Sequence, residues 1–216
     1  MAKVNWKNHI REFVVVVFGI LLAFQLDRCA SDNNKQKLVD EHVNYIKEET
    51  RLNVLNLKYS IQLSESNFAK IDSIINLISK KGDVSTINKL SFEIFNVGYL
   101  YIRRNAYNSL VNSGDIRFIK SFEEKKNIIN MYEYYTWTES LDQGCRAAYF
   151  DDFFPYVKEN FDLVTSMVQD PEIYYSKTFS NALSTYRFAL DLKIKKFKDC
   201  EKEINDFLKV INQNQK

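Results

Sequence analysis

Glycine and proline are scarce here, five and two among 216 residues. A chain so poor in helix breakers reads as long uninterrupted helices joined by few turns. Five scattered glycines also make no phosphate-cradling loop. Histidine is rarer still, with only His9 and His42. Neither follows a glutamate by three residues, so the Glu-x-x-His pairs of di-iron bundles are missing. His42 and Glu49, two turns apart, are too sparse a pair for a metal site. The cysteines Cys29, Cys145 and Cys200 offer no CxxC pair and no zinc-type spacing. They permit one internal disulfide with a thiol left over, or three free thiols. In an oxidising compartment, Cys29 could cross-link two protomers. No repeat of 20–50 residues is apparent.

Charge of one sign is lacking too. Thirty basic and 28 acidic residues leave a net +2, with no footprint for nucleic acid. The densest basic run, Lys193, Lys195, Lys196 and Lys198, alternates with acids and reads as the solvated face of a last helix. An apolar fraction of 45% with 14% aromatics supports a folded core rather than disorder.

What is present is an uncharged run over residues 13–26, FVVVVFGILLAFQL. Fourteen residues of helix cover only ~21 Å, short of the ~30 Å hydrocarbon core. Counting back to Trp6 extends the span to ~31 Å, with Trp6 suited to the headgroup belt and the stems of Lys7 and Arg11 reaching outward. A cleavable signal would need small residues before its processing site, and Arg28-Cys29-Ala30 is a poor one. A lipoprotein reading of Cys29 fails on Asp27 and Arg28. The expected organisation is therefore a short cytoplasmic segment over 1–12, a transmembrane helix over 13–27 that may be counted from 6, and an α-helical extracytoplasmic domain over 28–216. Lys3, Lys7 and Arg11 before the span balance Arg28, Lys35 and Lys37 after it, so the positive-inside rule ties. The charge density of the first eleven residues leans towards a cytoplasmic amino terminus. On the span, Glu12, Val16, Gly19 and Ala23 share a face, and Gly19 with Ala23 lets another backbone approach closely. Glu12 reads either as a headgroup-level helix cap or as a group pairing with a partner or an ion.

Beyond the span the pattern is helical from Ser31 to about Lys80. Leu38, Tyr45, Leu52 and Tyr59 recur every seven residues as one stripe, and Val39, Val43, Ile46, Val54, Leu57 and Ile61 form another. Two stripes suit a helix that packs on its own domain and on a partner; a single broad buried face in a bundle is the plainer alternative. Lys81-Gly82-Asp83 reads as a turn, followed by a helix from about Ser85 to Asn96. A helix over 104–112 should end at Ser113-Gly114, with Gly114 left-handed. Ser121 to Glu124 is a capping box for a helix running to about Phe150, kinking onwards past Pro155 to Asn160. Asp170-Pro171-Glu172 opens another start, and the last helix spans about 176–210. Tyr132, Tyr135, Trp137, Tyr149 and Phe153 belong to an aromatic concentration that reads as bundle core or as a contact surface for a ligand or peptide. Asp142, Asp151 and Asp152 could pair as acid and base, but helix surfaces carry such groups routinely. No cofactor is implied.

Two segments resemble a known family. Glu12-Phe-Val-Val-Val-Val-Phe-Gly-Ile-Leu-Leu-Ala-Phe-Gln25-Leu-Asp resembles the amino-terminal span of an uncharacterised family of Bacteroidota membrane proteins. Tyr107-Asn-Ser109-Leu110-Val-Asn-Ser113-Gly114 resembles its internal Tyr-x-x-Leu-x-x-Ser-Gly signature, and Ile128, Ile129, Tyr132 and Tyr134-Tyr135 fit the continuation. Asp27-Arg28-Cys29 departs from the asparagines and tryptophan common there. The resemblance implies one inner-membrane span, a cytoplasmic amino terminus and a helical periplasmic domain, without an activity. The expected fold is all-α: a transmembrane helix followed by an elongated helical bundle. The leading functional expectation is a non-enzymatic scaffold or interaction subunit of the cell envelope, partnered by the lipid bilayer and by itself or another membrane protein. A ligand-sensing module acting through a membrane partner, or an accessory subunit of an ion-driven complex, are the alternatives.

Overall fold

A computed structural model describes residues 6–213, without the side chains of residues 7–9, 212 and 213. Lys3 and the first five positions of the expected cytoplasmic segment lie outside the described residues, as do the side chains of Lys7 and His9. The protein is all-α, built from six α-helices among the described residues: α1 (Trp6–Ser79), α2 (Val84–Glu93), α3 (Asn105–Asn112), α4 (Phe122–Ala147), α5 (Phe154–Asn160) and α6 (Lys177–Gln213). The chain divides into two compact units, one holding the chain up to Ile46 with Asn105–Phe122, the other Lys47–Arg104 with Glu123–Lys216. The division falls inside the expected 28–216 domain.

In the first unit, Val39, Val43 and Ile46 of α1 and Ala106 and Leu110 of α3 are buried. α3 ends where Gly114 turns left-handed, at φ 75°, a conformation that costs a side-chain-bearing residue about 1 kcal/mol or more. The 3-10 turn Asp115–Phe118 follows, with Asp115 3.7 Å from His42 and Lys35 over the Phe118 ring. His42 is thus half-buried beside a carboxylate, not a metal ligand set.

The second unit is a three-helix bundle. Pairs linking α1 to α6, Lys58 to Glu201 and Glu65 to Lys198, run in opposite sequence directions, so the two helices are antiparallel. α6 buries Phe179, Leu183, Tyr186, Leu190, Lys193, Phe197, Cys200, Ile204, Phe207 and Ile211. That alternation of steps of four and three is the seam of a helix packed along its whole length. α4 repeats the spacing with Ile128, Met131, Tyr135, Thr138, Asp142, Cys145 and Tyr149. One more step of three would place Asp152 inside. Instead a π turn over Ala148–Phe153 adds a residue to the winding, and Phe153 and Val157 are buried while Asp152 stays exposed. Pro155 sits just beyond, inside the first turn of α5, where its missing N–H frees a carbonyl of the preceding turn. The expected kink is therefore a widened turn, and its effect is register.

α1 runs unbroken to Ser79, in keeping with the helical pattern from Ser31 to about Lys80, and Ser64 Oγ donates to the carbonyl of Ser60 within it. One helix boundary differs from expectation. α2 stops at Glu93 rather than Asn96, and residues 96–104 are neither helix nor strand. Their backbone is bound by side chains instead. Asn53 takes both groups of Arg103, donating to its carbonyl at 3.0 Å and accepting its N–H at 2.8 Å. Asn56 donates to the carbonyl of Tyr101 and Asn67 to that of Asn96. As the segment advances its partners on α1 recede, so it lies antiparallel along that helix. Gly98 permits the approach: a Cβ there would meet Leu63 Cδ2 at 2.7 Å. These ties replace the hydrogen bonds a helix would have made. Asn53→Ala should cost about 1–2 kcal/mol in urea denaturation of the solubilised protein and accelerate hydrogen exchange at the Arg103 amide; an unchanged amide would show that the clamp does not hold the segment.

Candidate functional site

Three places have the composition of a site: the apolar start of α1, the outer face of α1, and a buried charged group in the second unit. Among the described residues α1 is the one helix long and apolar enough to cross a membrane, its best 18-residue window having a mean hydropathy of 2.0 and none of it buried. Glu12, Gly19 and Ala23 are all exposed, and no atom lies within 4 Å of where a Gly19 Cβ would stand.

The outer face of α1 is apolar and open. Leu38 and Tyr45 in the first unit, and Leu52 and Tyr59 in the second, are 50%, 63%, 43% and 61% exposed. The other stripe, Val39, Val43, Ile46, Val54, Leu57 and Ile61, is buried. A single broad buried face is therefore not what α1 has. Leu55, 63% exposed, adds to the open stripe in the second unit. Asn53 and Asn56, lying between the stripes, are the residues that bind segment 96–104.

The aromatic contact surface is corrected by burial. Tyr132, Tyr135, Tyr149 and Phe153 are at most 2% exposed, and only Trp137 of the five, at 50%, faces solvent. Tyr149 packs edge-on to Tyr186 at 5.2 Å, and Phe161 edge-on to Tyr174 at 5.7 Å. Edge contacts of this kind satisfy the ring quadrupoles and fill the volume a ligand would need. Burial pushes the Tyr149 phenol up to about 12 and raises Tyr135, Tyr174 and Tyr186 as well, so these hydroxyls stay neutral at any ordinary pH. Trp137 borders an open hollow with Asn130, Glu133 and Tyr134, and Lys196 lies 4.6 Å from its ring centroid.

The buried charged group was not foreseen. Lys193, expected on a solvated face, is 2% exposed, as is Asp142. Lys193 Nζ stands 2.7 Å from Asp142 Oδ1, Arg146 Nε 3.2 Å from Oδ2, and the N–H of Leu100 donates to Oδ2 at 3.3 Å. One carboxylate thus joins α4, α6 and the segment 96–104. Lys195, Lys196 and Lys198 do lie outside, paired with Asp191, Asp199 and Glu65. Asp151 and Asp152 are exposed, so the three aspartates form no catalytic pair with Asp142. The signal for Lys193 is in the sequence: it stands three after Leu190 and four before Phe197, at a seam position. Cys145 is also buried, and burial holds its thiol up at about 11, with Lys193 pulling it back. Cys200 is likewise at about 11 for the same reason, eased by Thr138. All three thiols are free, and among the described residues no cluster of histidine, cysteine and carboxylate could hold a metal ion. A buried carboxylate with two cations and one backbone N–H around it ties three elements to one register.

Lys193→Met should lower the unfolding free energy by about 3 kcal/mol by leaving Asp142 short of a counter-charge, with Asp142→Leu in the same chain restoring part of the loss. At pH 8 a maleimide should label Cys29 alone in the folded protein and all three thiols in denaturant, because a thiol held near 11 presents almost no thiolate; fast native labelling of Cys145 or Cys200 would contradict the packing. Compared with known proteins, the chain matches no family model, no curated protein and no solved structure.

Proposed function

We propose that this chain is a single-pass anchored interaction subunit of the cell envelope, self-associating through α1, with its amino terminus cytoplasmic and its helical part periplasmic. The observation that carries the reading is the exposure of α1. An apolar start with no buried residue in its best 18-residue window suits a bilayer, which would cover side chains that otherwise meet water. Gly19 and Ala23 supply the close-approach face inside the lipid. Outside it, Leu52, Leu55 and Tyr59 offer apolar area that the second unit leaves uncovered. The resemblance to the Bacteroidota family supports the compartment and orientation.

Two copies anchored in one bilayer emerge in the same direction, so lateral association of α1 with α1 is parallel by construction. The buried charges and tyrosines are consumed by packing, which leaves surface contact as the activity the molecule offers. Gly19→Leu combined with Leu52→Asp should reduce the oligomer mass measured by light scattering in mild detergent, while helicity stays unchanged. A mass identical to the parent would remove the self-association reading. Extraction of the parent chain into the soluble fraction by alkaline carbonate would remove the anchor.

A further inference from the structure

One exposed apolar feature of the second unit lies far in sequence from α1. Between α5 and the 3-10 turn Pro171–Tyr175, residues 162–167 form a tight hairpin closed by an antiparallel bridge of Asp162 with Met167. At its tip Val164 is 95% exposed, with Leu163 at 46% and Met167 at 62%. A loop that merely connected two helices would be expected to carry polar residues there.

The turn is also built to hold these side chains out. Asp162 donates its N–H to the Met167 carbonyl at 3.0 Å, and its Oδ1 accepts from the N–H groups of Val164 and Thr165. Ser166 is held at φ 56°, a left-handed conformation that costs a non-glycine residue about 1 kcal/mol or more. Its carbonyl accepts from Asn88 of α2 at 3.0 Å, and Asn88 Oδ1 accepts from the buried Tyr174 hydroxyl at 2.7 Å. The tip is therefore tied through Asn88 to the core. Rigid presentation removes the ordering cost that a flexible loop would bear on binding.

Charge identifies the occupant. Glu159, Asp162 and Asp170 line one open hollow beside the hairpin, and with Glu172 they outnumber the flanking Lys158 and Lys177 by four to two. An acidic collar opposes insertion into an anionic bilayer and complements a basic one. We propose that hairpin 162–167 is a docking knob for a protein partner presenting an apolar pocket rimmed by lysine or arginine. This surface is additional to α1 and stands whether or not α1 self-associates.

The test uses the full-length chain in its own membranes, with the photo-crosslinker benzoylphenylalanine placed at position 164 and, as a control, at the exposed Phe188. A discrete protein adduct should form from 164 and not from 188. The protein in that adduct is then identified, purified and titrated against the full chain in detergent. Val164→Asp or Met167→Asp should each weaken binding about tenfold or more, and Val164→Ile should preserve it. Raising the salt to about 0.5 M should weaken binding too, by screening collar against rim. Each variant should leave the thermal midpoint in place, because these side chains are exposed, and should leave the oligomer mass of the chain in place. No adduct, an adduct of lipid, an adduct of two copies of this chain, or binding indifferent to Val164→Asp or to salt would each overturn the proposal.

Discussion

The second unit depends on a polar layer in the middle of a helical seam. α1 alternates its inward positions in steps of three and four, and through the centre these are Thr50, Asn53, Leu57, Ser60, Ser64 and Asn67, all buried and all but Leu57 polar. Facing helices answer with Thr138, Asp142 and Lys193. Apolar seams are nearly indifferent to sliding, because one leucine resembles the next. A slip of one turn, ~5.4 Å, would part Lys193 from Asp142, leaving the lysine without its carboxylate in the interior and Asp142 with Arg146 alone. The layer therefore penalises every other alignment more than it stabilises this one, which is the best-attested use of buried polar groups. Segment 96–104 is fastened at the same level, so its path follows from the same alignment.

How much of this was legible in the sequence depended on whether a feature is local. The turn at Lys81-Gly82-Asp83, the left-handed Gly114 and the cap at Asp170 each follow from residue types acting on their own backbone. The stripes of α1 were legible because periodicity records which face a helix buries. The path of segment 96–104 was not, since it is set by Asn53, Asn56 and Asn67, which lie 29 to 50 positions before the groups they bind. Lys193 hid for a related reason. A lysine among lysines looks solvated until Asp142, fifty-one positions before it, supplies the counter-charge. The aromatics were ambiguous because a ring at a helix seam and a ring at a binding surface have identical composition.

The interior and the exterior thus divide the work of the sequence. Asp142, Lys193 and most of the phenols, groups that elsewhere would suggest chemistry, are enclosed by packing. Large apolar groups stand in the open on α1 and on hairpin 162–167. Such an inversion is costly for an isolated soluble molecule, because exposed apolar area favours aggregation. The setting proposed above, among lipid and partner proteins, would remove that cost.

The π turn over Ala148–Phe153 has a consequence for how this chain can vary. Its extra residue is the only thing separating a phenylalanine from an aspartate at the same interior position. Rewinding the same residues as plain α-helix would carry the carboxylate of Asp152 into a nest of rings, whereas removing one residue of the turn would keep Phe153 at the interior position. Residue count and winding are therefore coupled at this single coil, which lets one extra residue be absorbed without turning the aromatic face of α5 away from the interior.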